Sequence, residues 1–98
     1  MDVDFWLNGI CFRWDARKAA SNLRRHSVAF ESACEVFFDP FARFVHSEIV
    51  RNEVRETIMG LAIDWRLLVV VYKEREQSFR IISAREATRQ EKKAYEDQ

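Results

Sequence analysis

The alternation of apolar and polar positions predicts a strand and then a helix near the start of the chain. The segment GICFRW (residues 9–14) alternates and is rich in residues that favour strands. Asp15 follows in the position of a helix N-cap, and ARKAASNLRRH supplies residues that favour a helix ending at Ser27. The small and apolar residues of this helix predict an inward-facing stripe formed by Ala16, Ala19, Ala20 and Leu23.

A second, shorter helix is predicted in FESACEVFFDP, which begins at Phe30. This helix stops at Asp39-Pro40, because proline lacks the N–H that a helix interior requires. Its apolar residues recur on one side of the helix, and they are Phe30, Ala33, Cys34 and Phe37.

Apolar runs in the second half of the chain predict several strands and a closing helix. Three strands are expected around VRETIMGLAI, RLLVVVYKE and FRIIS, with a further short strand near ARFVHSE. The segments between them are short enough for antiparallel hairpins. Residues 87–96 are predicted to be helical, with a capping box of either Ser83 and Glu86 or Thr88 and Glu91. This order predicts an α+β fold with a single antiparallel β-sheet, two N-terminal helices and a C-terminal helix.

Length and composition limit the class of protein. A chain of 98 residues, 48% hydrophobic and 33% charged, is predicted to fold as one domain (residues 1–98) around a modest core. The longest apolar run, residues 67–72, is far shorter than the roughly 20 residues that span a bilayer. The N-terminus MDVDFW lacks the basic residues of a signal peptide, so a cytoplasmic location is expected.

The cysteines and the large aromatic residues are expected to lie in the core. Cys11 and Cys34 form no CxxC pair and are expected to be reduced. Large aromatic side chains bury the most area per residue in a small domain. We therefore expect the eight phenylalanines and Trp6, Trp14 and Trp65 to pack inside rather than stack on nucleic-acid bases.

Charge is distributed unevenly although the formal net charge is zero. Residues 13–26 carry five cationic side chains and one acid, and residues 80–93 carry five cationic side chains and two acids. Residues 31–64 contain three arginines and seven acidic residues. Arginine outnumbers lysine by 12 to 4, and its planar guanidinium suits phosphate or carboxylate. Zero net charge argues against non-specific attraction to nucleic acid, and solvated salt bridges are the alternative interpretation of these arginines.

Several standard sites are excluded by the motifs that the chain lacks. Its two glycines, Gly9 and Gly60, cannot form a glycine-rich phosphate loop, and no GxSxG nucleophile elbow is present. The two histidines and two cysteines lack the spacing of zinc ligands, so no metal site is expected.

The spacing of the remaining polar residues suggests a phosphate site. Lys18, Asn22 and His26 recur at intervals of four, which places them on one side of the first helix, away from the alanine stripe. Arg55 and Arg85 lie near strand ends, where a side chain is held more firmly than in a loop. Alternate residues of a strand point to the same face of the sheet. Arg55 is therefore expected to share a face with Thr57, Met59 and Leu61, and Arg85 with Ile81 and Ser83.

Several separated motifs resemble the BrnT family of toxins from type II toxin–antitoxin systems. They are FRWDARKAASNLRRHSVAFESACEVFFDP, RETIMG, RLLVVVYKER and RIISAREATRQEKKAY, and together they span residues 12–95. The strongest markers are Trp14-Asp15, Lys18, Asn22, His26, Phe30, Asp39-Pro40, Arg55, Gly60, the run from Ile81 to Arg85, and Ala87-Thr88. One departure is Arg25-His26-Ser27, where the family usually has Lys-His-Gly; serine lacks the ease of glycine at positive φ.

The resemblance implies a fold, a function and a partner. It implies a RelE-like fold and a metal-independent ribonuclease that inhibits translation and growth. It also implies that a ribbon–helix–helix antitoxin like BrnA neutralises the toxin in an assembly of two toxins and two antitoxins. Operator DNA is then contacted only through the antitoxin, and no cofactor or membrane is involved.

The resemblance and the chemistry of RNA cleavage together suggest roles for seven residues. Metal-free cleavage uses the 2′-hydroxyl of the RNA as nucleophile and needs proton carriers and cations around the phosphate. The candidate catalytic residues are His26 as proton carrier, with Arg55, Arg85 and Lys18 around the phosphate. The candidate RNA-binding residues are Arg25, Arg80 and Tyr72.

Structural alternatives exist for these residues. His26 could be a helix C-terminal histidine favoured by the helix dipole, Lys18 a solvated side chain, and Tyr72 a core residue. Arg85 could pair with Glu56 or Glu86 and so connect the helix to the sheet. An inactive homologue that binds only a protein partner or operator DNA is the second functional hypothesis, since the same arginines suit an acidic partner.

Overall fold

The computed structural model describes all 98 residues as one mixed β-sheet with three helices. The strands are β1 (Asp2–Leu7), β2 (Ile10–Asp15), β3 (Arg43–Val50), β4 (Glu53–Leu61), β5 (Leu67–Arg75) and β6 (Ser78–Glu86). The helices are α1 (Ala16–His26), α2 (Phe30–Glu35), which continues into a 3₁₀ turn at Val36–Phe38, and α3 (Arg89–Glu96). None of these helices has the length and apolar character that crossing a bilayer requires.

The six strands lie in the order β1-β2-β6-β5-β4-β3. Four of the five strand pairs are antiparallel, and the pair of β2 and β6 is parallel. The prediction of an α+β fold with a single sheet is confirmed, but the sheet is mixed rather than purely antiparallel. The parallel pair arises because α1, α2 and the strands β3 to β5 intervene between β2 and β6.

Strand β1 was absent from the elements predicted by the sequence. Val3, Phe5 and Leu7 alternate with polar or exposed residues and pack against the main core. Asn8 and Gly9 form the turn to β2 with φ of 50° and 81°. Positive φ at both central residues is typical of a type I′ hairpin, and Asn-Gly is its strongest sequence signal. The acidic composition of MDVDFW obscured this hairpin.

The main core lies between α2 and one face of the sheet. Its largest fully buried side chains are Phe12, Phe30, Leu68 and Ile81. A second, smaller cluster forms on the opposite face, where Met59, Leu67 and Val69 pack beneath α3. Both cysteines are buried and free, as expected, and burial raises the pKa of the Cys34 thiol.

The prediction that the large aromatic residues are all internal is wrong in part. Trp14 is buried, whereas Trp6 is 66% and Trp65 is 81% exposed. Among the phenylalanines, Phe41 and Phe44 are also largely exposed. β3 is an edge strand and α2 covers the middle of the sheet, so the aromatic residues near β3 have no layer to pack against.

The capping box of α3 is formed by Thr88 and Glu91. The Glu91 N–H donates to Thr88 Oγ1 over 3.1 Å, and the Thr88 N–H donates to Glu91 Oε1 over 2.8 Å. This result selects one of the two predicted alternatives. Ser83 instead lies within β6.

Helix α1 is oriented differently from the prediction. Ala16 and Ala19 are half-buried, but Ala20 and Leu23 are exposed, and the one fully buried residue of the helix is Asn22. A polar side chain therefore anchors this helix. Hydrophobicity alone therefore does not give the inward side of this helix, because its buried contact is made by an amide side chain.

Asn22 joins α1 to the free backbone edge of β6. Its Nδ2 donates to the Ala84 carbonyl over 2.8 Å and to the Val28 carbonyl over 2.9 Å. Its Oδ1 accepts from the Ala84 N–H over 3.1 Å. Strand β2 pairs with β6 only as far as Arg80, so the Asn22 amide satisfies backbone groups that no neighbouring strand reaches.

Two β-bulges alter which side chains face which side of the sheet. In β6, Ile81 pairs with Tyr72 and Ser83 with Val71, so Ile82 is an extra residue. Ile81 and Ser83 therefore lie on opposite faces, and the prediction that Arg85 shares a face with Ile81 is wrong. Arg85 and Ser83 do lie on the same face, as predicted. A bulge adds a residue to one strand and so reverses the alternation beyond it.

The second bulge lies in β3. Phe44 pairs with Ile58 and His46 with Thr57, which leaves Val45 as the extra residue. Phe44 and His46 consequently lie on opposite faces. His46 joins the face that carries Thr57 and Met59, opposite the α2 layer.

The three hydrogen bonds of the Asn22 side chain predict a large loss of stability when this side chain is truncated. Asn22→Ala leaves one N–H and two carbonyl groups without partners in a buried position. Each such group costs about 1–3 kcal/mol, so the free energy of unfolding should fall by at least about 3 kcal/mol. Urea denaturation followed by circular dichroism measures this change.

Ser21→Ala is the matched control, since Ser21 is the neighbouring residue and makes no side-chain hydrogen bond. Its effect should stay within about 0.5 kcal/mol. Equal stability of the two variants would show that the Asn22 hydrogen bonds do not hold α1 in place.

Candidate functional site

A groove runs along the sheet face opposite α2 and past the C-terminal end of α1. It consists of two adjacent clefts of about 160 and 170 Å³, which share His26 and Ser83. The first cleft is lined by Lys18, Ser21, Asn22, Arg25, His26, Ile82 and Ser83. The second is lined by His26, His46, Glu48, Thr57, Val69, Val71, Ser83, Ala84 and Arg85.

Helix α1 supplies the basic wall of the first cleft. Lys18, Arg25 and His26 are all exposed side chains that line it, and none of them makes a side-chain hydrogen bond. Asp15 caps the helix by accepting from the N–H groups of Arg17 and Lys18, and these bonds lower the pKa of its carboxyl group. The predicted grouping of Lys18 with His26 is therefore present, with Asn22 as the buried anchor between them.

The end of α1 is closed by Ser27, which adopts φ of 57°. Its N–H donates to the Leu23 carbonyl over 2.9 Å, and its carbonyl accepts from Arg66 Nη1 over 2.8 Å. This left-handed conformation is the one that favours glycine. Serine adopts the same conformation here, so the helix still ends directly after His26.

Arg85 lies in the second cleft with part of its guanidinium already bound. Nη1 donates to Glu91 Oε1 over 2.8 Å and to the Glu86 carbonyl over 3.2 Å, and Nη2 donates to Glu91 Oε2 over 2.9 Å. The predicted partners Glu56 and the Glu86 carboxylate are not used. These bonds connect β6 to α3, which is the structural role considered for Arg85, with a different carboxylate.

The pair with Glu91 leaves one edge of Arg85 free. A guanidinium has five N–H donors, and three of them are used by Glu91 and the Glu86 carbonyl. The Nε–H and one Nη2–H make no hydrogen bond, and these two form a side-on edge suited to a phosphate. A carboxylate on the other edge holds the guanidinium in one orientation, so the free edge is preorganised.

Arg55 lies on the same face of β4 and forms neither an ion pair nor a side-chain hydrogen bond. Its Nε is buried without a hydrogen bond, and no other atom of its side chain makes one. Its cross-strand neighbour in β3 is Glu48, which lines the second cleft, and Thr57 lies two residues along on the same face. As predicted, Arg55, Thr57 and Met59 lie on the same face of β4.

Two predicted RNA-binding residues lie away from the groove lining. Arg80 forms a two-point ion pair with Asp2 of β1, with Nη–Oδ distances of 2.9 and 3.1 Å. Tyr72 is buried among Phe37 and Phe79, and burial raises the pKa of its hydroxyl. The structure places Tyr72 in the core, which is the alternative considered for it.

Sequence reasoning missed His46 and Glu48 as site residues. Both project from the edge strand β3 into the second cleft. The expected strand near ARFVHSE is present, but its register depends on the bulge at Val45. The available signal was that His46 is one of two histidines in the chain.

Comparison with known families identifies the class of toxin to which this arrangement belongs. The family model described as the ribonuclease toxin BrnT of type II toxin–antitoxin systems matches residues 14–91. The chain belongs to this family. The matched segment contains both clefts and Arg55, whereas β1 precedes it.

A solved structure shares the fold. The crystal structure of the Brucella abortus ribonuclease toxin BrnT aligns with a TM-score of 0.61 at 22% sequence identity. The alignment covers 78% of this chain and 94% of that one. No curated protein matches the chain. A type II toxin has an antitoxin as its partner, so the family membership implies one here.

The pair of Arg85 and Glu91 predicts a loss of stability in acid. The hydrogen bonds from Arg85 lower the pKa of Glu91 from 4.5 to about 2. A carboxyl group with a lowered pKa stabilises the fold above its unfolded pKa, and this contribution is lost as pH falls through the folded value. Stability should therefore decline between about pH 4.5 and pH 2, and Glu91→Gln should reduce that decline.

Urea midpoints measured at several pH values between 6 and 2 test this expectation. Glu96→Gln is the matched control, because Glu96 is an exposed residue of the same helix without an ion pair. A Glu91→Gln protein whose stability falls with pH as steeply as that of the control would contradict the assignment.

Proposed function

We propose that this member of the BrnT family cleaves RNA without a metal ion, using the 2′-hydroxyl of the substrate as nucleophile. The observation that carries the proposal is the groove itself. It joins a cleft lined by His26, Lys18 and Arg25 of α1 to a cleft lined by Arg85. Phosphoryl transfer to an internal hydroxyl requires a group that transfers protons and cations that stabilise the charge on the phosphate, and an imidazole beside several cations provides both.

The chemistry divides among a small number of groups. The substrate 2′-oxygen attacks phosphorus while the bond to the 5′-oxygen breaks, which gives a 2′,3′-cyclic phosphate and a 5′-hydroxyl. His26 carries a proton in this reaction, because its ring lines both clefts and is free of hydrogen bonds. Arg85 and Arg55 stabilise the charge on the non-bridging oxygens, and Lys18 and Arg25 hold the backbone of the strand.

Arg80 and Tyr72 have no part in this arrangement. Arg80 is neutralised by Asp2, and Tyr72 is enclosed by aromatic rings of the core. The footprint of the RNA therefore follows α1 and the end of β6, not the β1 side of the sheet.

The proposed partner is an antitoxin of the BrnA type, a ribbon–helix–helix protein, in an assembly of two toxins and two antitoxins. Operator DNA is contacted through the antitoxin. This proposal rests on the family membership of the chain.

Cleavage of RNA in the presence of EDTA is the first expected outcome. Purified protein should cut total RNA in excess EDTA and leave 2′,3′-cyclic phosphate ends, detectable by their resistance to ligation until the cyclic phosphate is opened and the remaining phosphate is removed. Expression without antitoxin should arrest growth, and co-expression with a BrnA-type antitoxin should restore it. Activity that disappears with EDTA and returns with magnesium would exclude the metal-free mechanism. A pure, folded protein that binds antitoxin but leaves RNA intact would favour the inactive-homologue hypothesis.

Arg55→Lys should slow cleavage without unfolding the protein. Arg55 makes no hydrogen bond in the free protein, so the thermal midpoint should change little. Lysine cannot supply two parallel donors to a phosphate, and loss of one preorganised donor costs on the order of a hundredfold in rate. Cleavage rate and thermal midpoint are measured on the same sample.

Arg51→Lys is the matched control for Arg55→Lys. Arg51 lies in the turn between β3 and β4, outside both clefts, and carries the same charge on the same hairpin. Its cleavage rate should equal that of the unmodified protein. If Arg55→Lys and Arg51→Lys cleave RNA equally fast, Arg55 has no role at the phosphate.

A further inference from the structure

The chain contains two histidines, and both line the second cleft. His26 ends α1 on one wall, and His46 projects from β3 on another. Both side chains are exposed, and neither ring makes a hydrogen bond. Both imidazoles therefore line a cleft of about 170 Å³ that Arg85 also lines.

The two β-bulges are what bring these groups together. Without the extra residue Val45, His46 would share a face with Phe44 and lie on the α2 side of the sheet. Without the extra residue Ile82, Arg85 would share a face with Ile81 and lie in the core. Bulges that redirect side chains are frequent beside active sites. Both bulges here redirect a residue into the same cleft.

We propose that His46 is the general acid that protonates the leaving 5′-oxygen, with His26 as the general base that takes the proton from the 2′-hydroxyl. This inference rests on the proposed ribonuclease activity and adds a second proton-transfer residue to it. A proton donor begins the reaction positively charged, and Glu48, two residues along the same strand face, compensates that charge. His26 instead lies among cations, which suits a base that begins neutral.

The proton balance is complete with these two groups. His26 gains the 2′-hydroxyl proton as the O2′–P bond forms. His46 donates its proton to the 5′-oxygen as the P–O5′ bond breaks, so the leaving group departs as a hydroxyl. Exchange with water then returns His26 to its neutral form and His46 to its protonated form. No oxidant, reductant or metal enters this sequence.

The charged groups that face His46 come from every element around the cleft. Glu48 of β3, Arg85 of β6 and His26 of α1 line the cleft with it. Arg55 of β4 and Lys73 of β5 lie on the same face of the sheet, and Glu91 of α3 binds Arg85. Lys73 shares Glu53 with Arg75, and Glu91 is held by Arg85.

A substrate with sulfur in place of the 5′-bridging oxygen separates the two histidines. A thiolate leaves without protonation, so this substrate does not need the general acid. The probe is a DNA oligonucleotide with a single ribonucleotide, made once with the normal 5′-oxygen and once with 5′-sulfur. His46→Ala should cleave the oxygen substrate about a hundredfold or more slowly and should cleave the sulfur substrate nearly as fast as the unmodified protein. His26→Ala should be slow on both.

The pH dependence supplies an independent readout. The unmodified protein should show a bell-shaped profile on the oxygen substrate, because one histidine must be neutral and the other protonated. His46→Ala should lose the decline at high pH, where the acid would have deprotonated. Ser47→Ala is the control, since Ser47 is the neighbouring exposed residue of β3 and faces the opposite side of the sheet.

Three results would overturn the assignment. The first is that His46→Ala matches Ser47→Ala on the oxygen substrate, and the second is that it is equally slow on both substrates while its thermal midpoint is unchanged. Either result shows that His46 is not the acid, although the ribonuclease activity stands. If the unmodified protein cleaves neither substrate nor total RNA, the proposed function itself fails and the histidine pair fails with it.

Discussion

The hydrogen bonds between the Asn22 amide and the backbone of Ala84 hold the functional face of this protein together. Strand β2 leaves β6 after Arg80, so the next stretch of β6 has an open edge in the middle of a six-stranded sheet. The Asn22 side chain takes the place of a neighbouring strand by accepting from and donating to the same residue. As a result α1 lies beside β6 rather than above it, and its C-terminal end reaches the face opposite α2.

The placement of His26 follows from that contact. Lys18 and His26 lie four residues on either side of Asn22, so fixing the amide also fixes the row of side chains along the helix. The third hydrogen bond of Asn22, to Val28, holds the chain immediately after Ser27. The helix end is thus fixed from both sides. This rigidity explains how serine can occupy a left-handed position that favours glycine.

Charge in this protein is organised by pairing rather than by net excess. The acids of β1 neutralise Arg13 and Arg80, Glu53 holds Lys73 and Arg75, and Glu91 holds one edge of Arg85. Lys18 and Arg25 are among the cationic side chains left without such partners, and both line the first cleft. A chain of zero net charge can therefore present a local basic surface, because its acids are used elsewhere.

The sequence by itself determined the order of most helices and strands, the capping box of α3, the burial of both cysteines and the candidate residues of α1. These features depend on neighbours along the chain, and local spacing and capping chemistry describe them. Tertiary structure alone decided that Asn22 is an anchor, that Arg85 pairs with Glu91, and that His46 lines the same cleft as His26. The contact of Asn22 and the position of His46 depend on which distant segments meet, and the pair of Arg85 and Glu91 depends on the face of β6 to which Arg85 points. A single bulge residue, Val45 or Ile82, reverses the facing of everything beyond it, and the alternation of a strand in sequence carries no mark of where that extra residue falls.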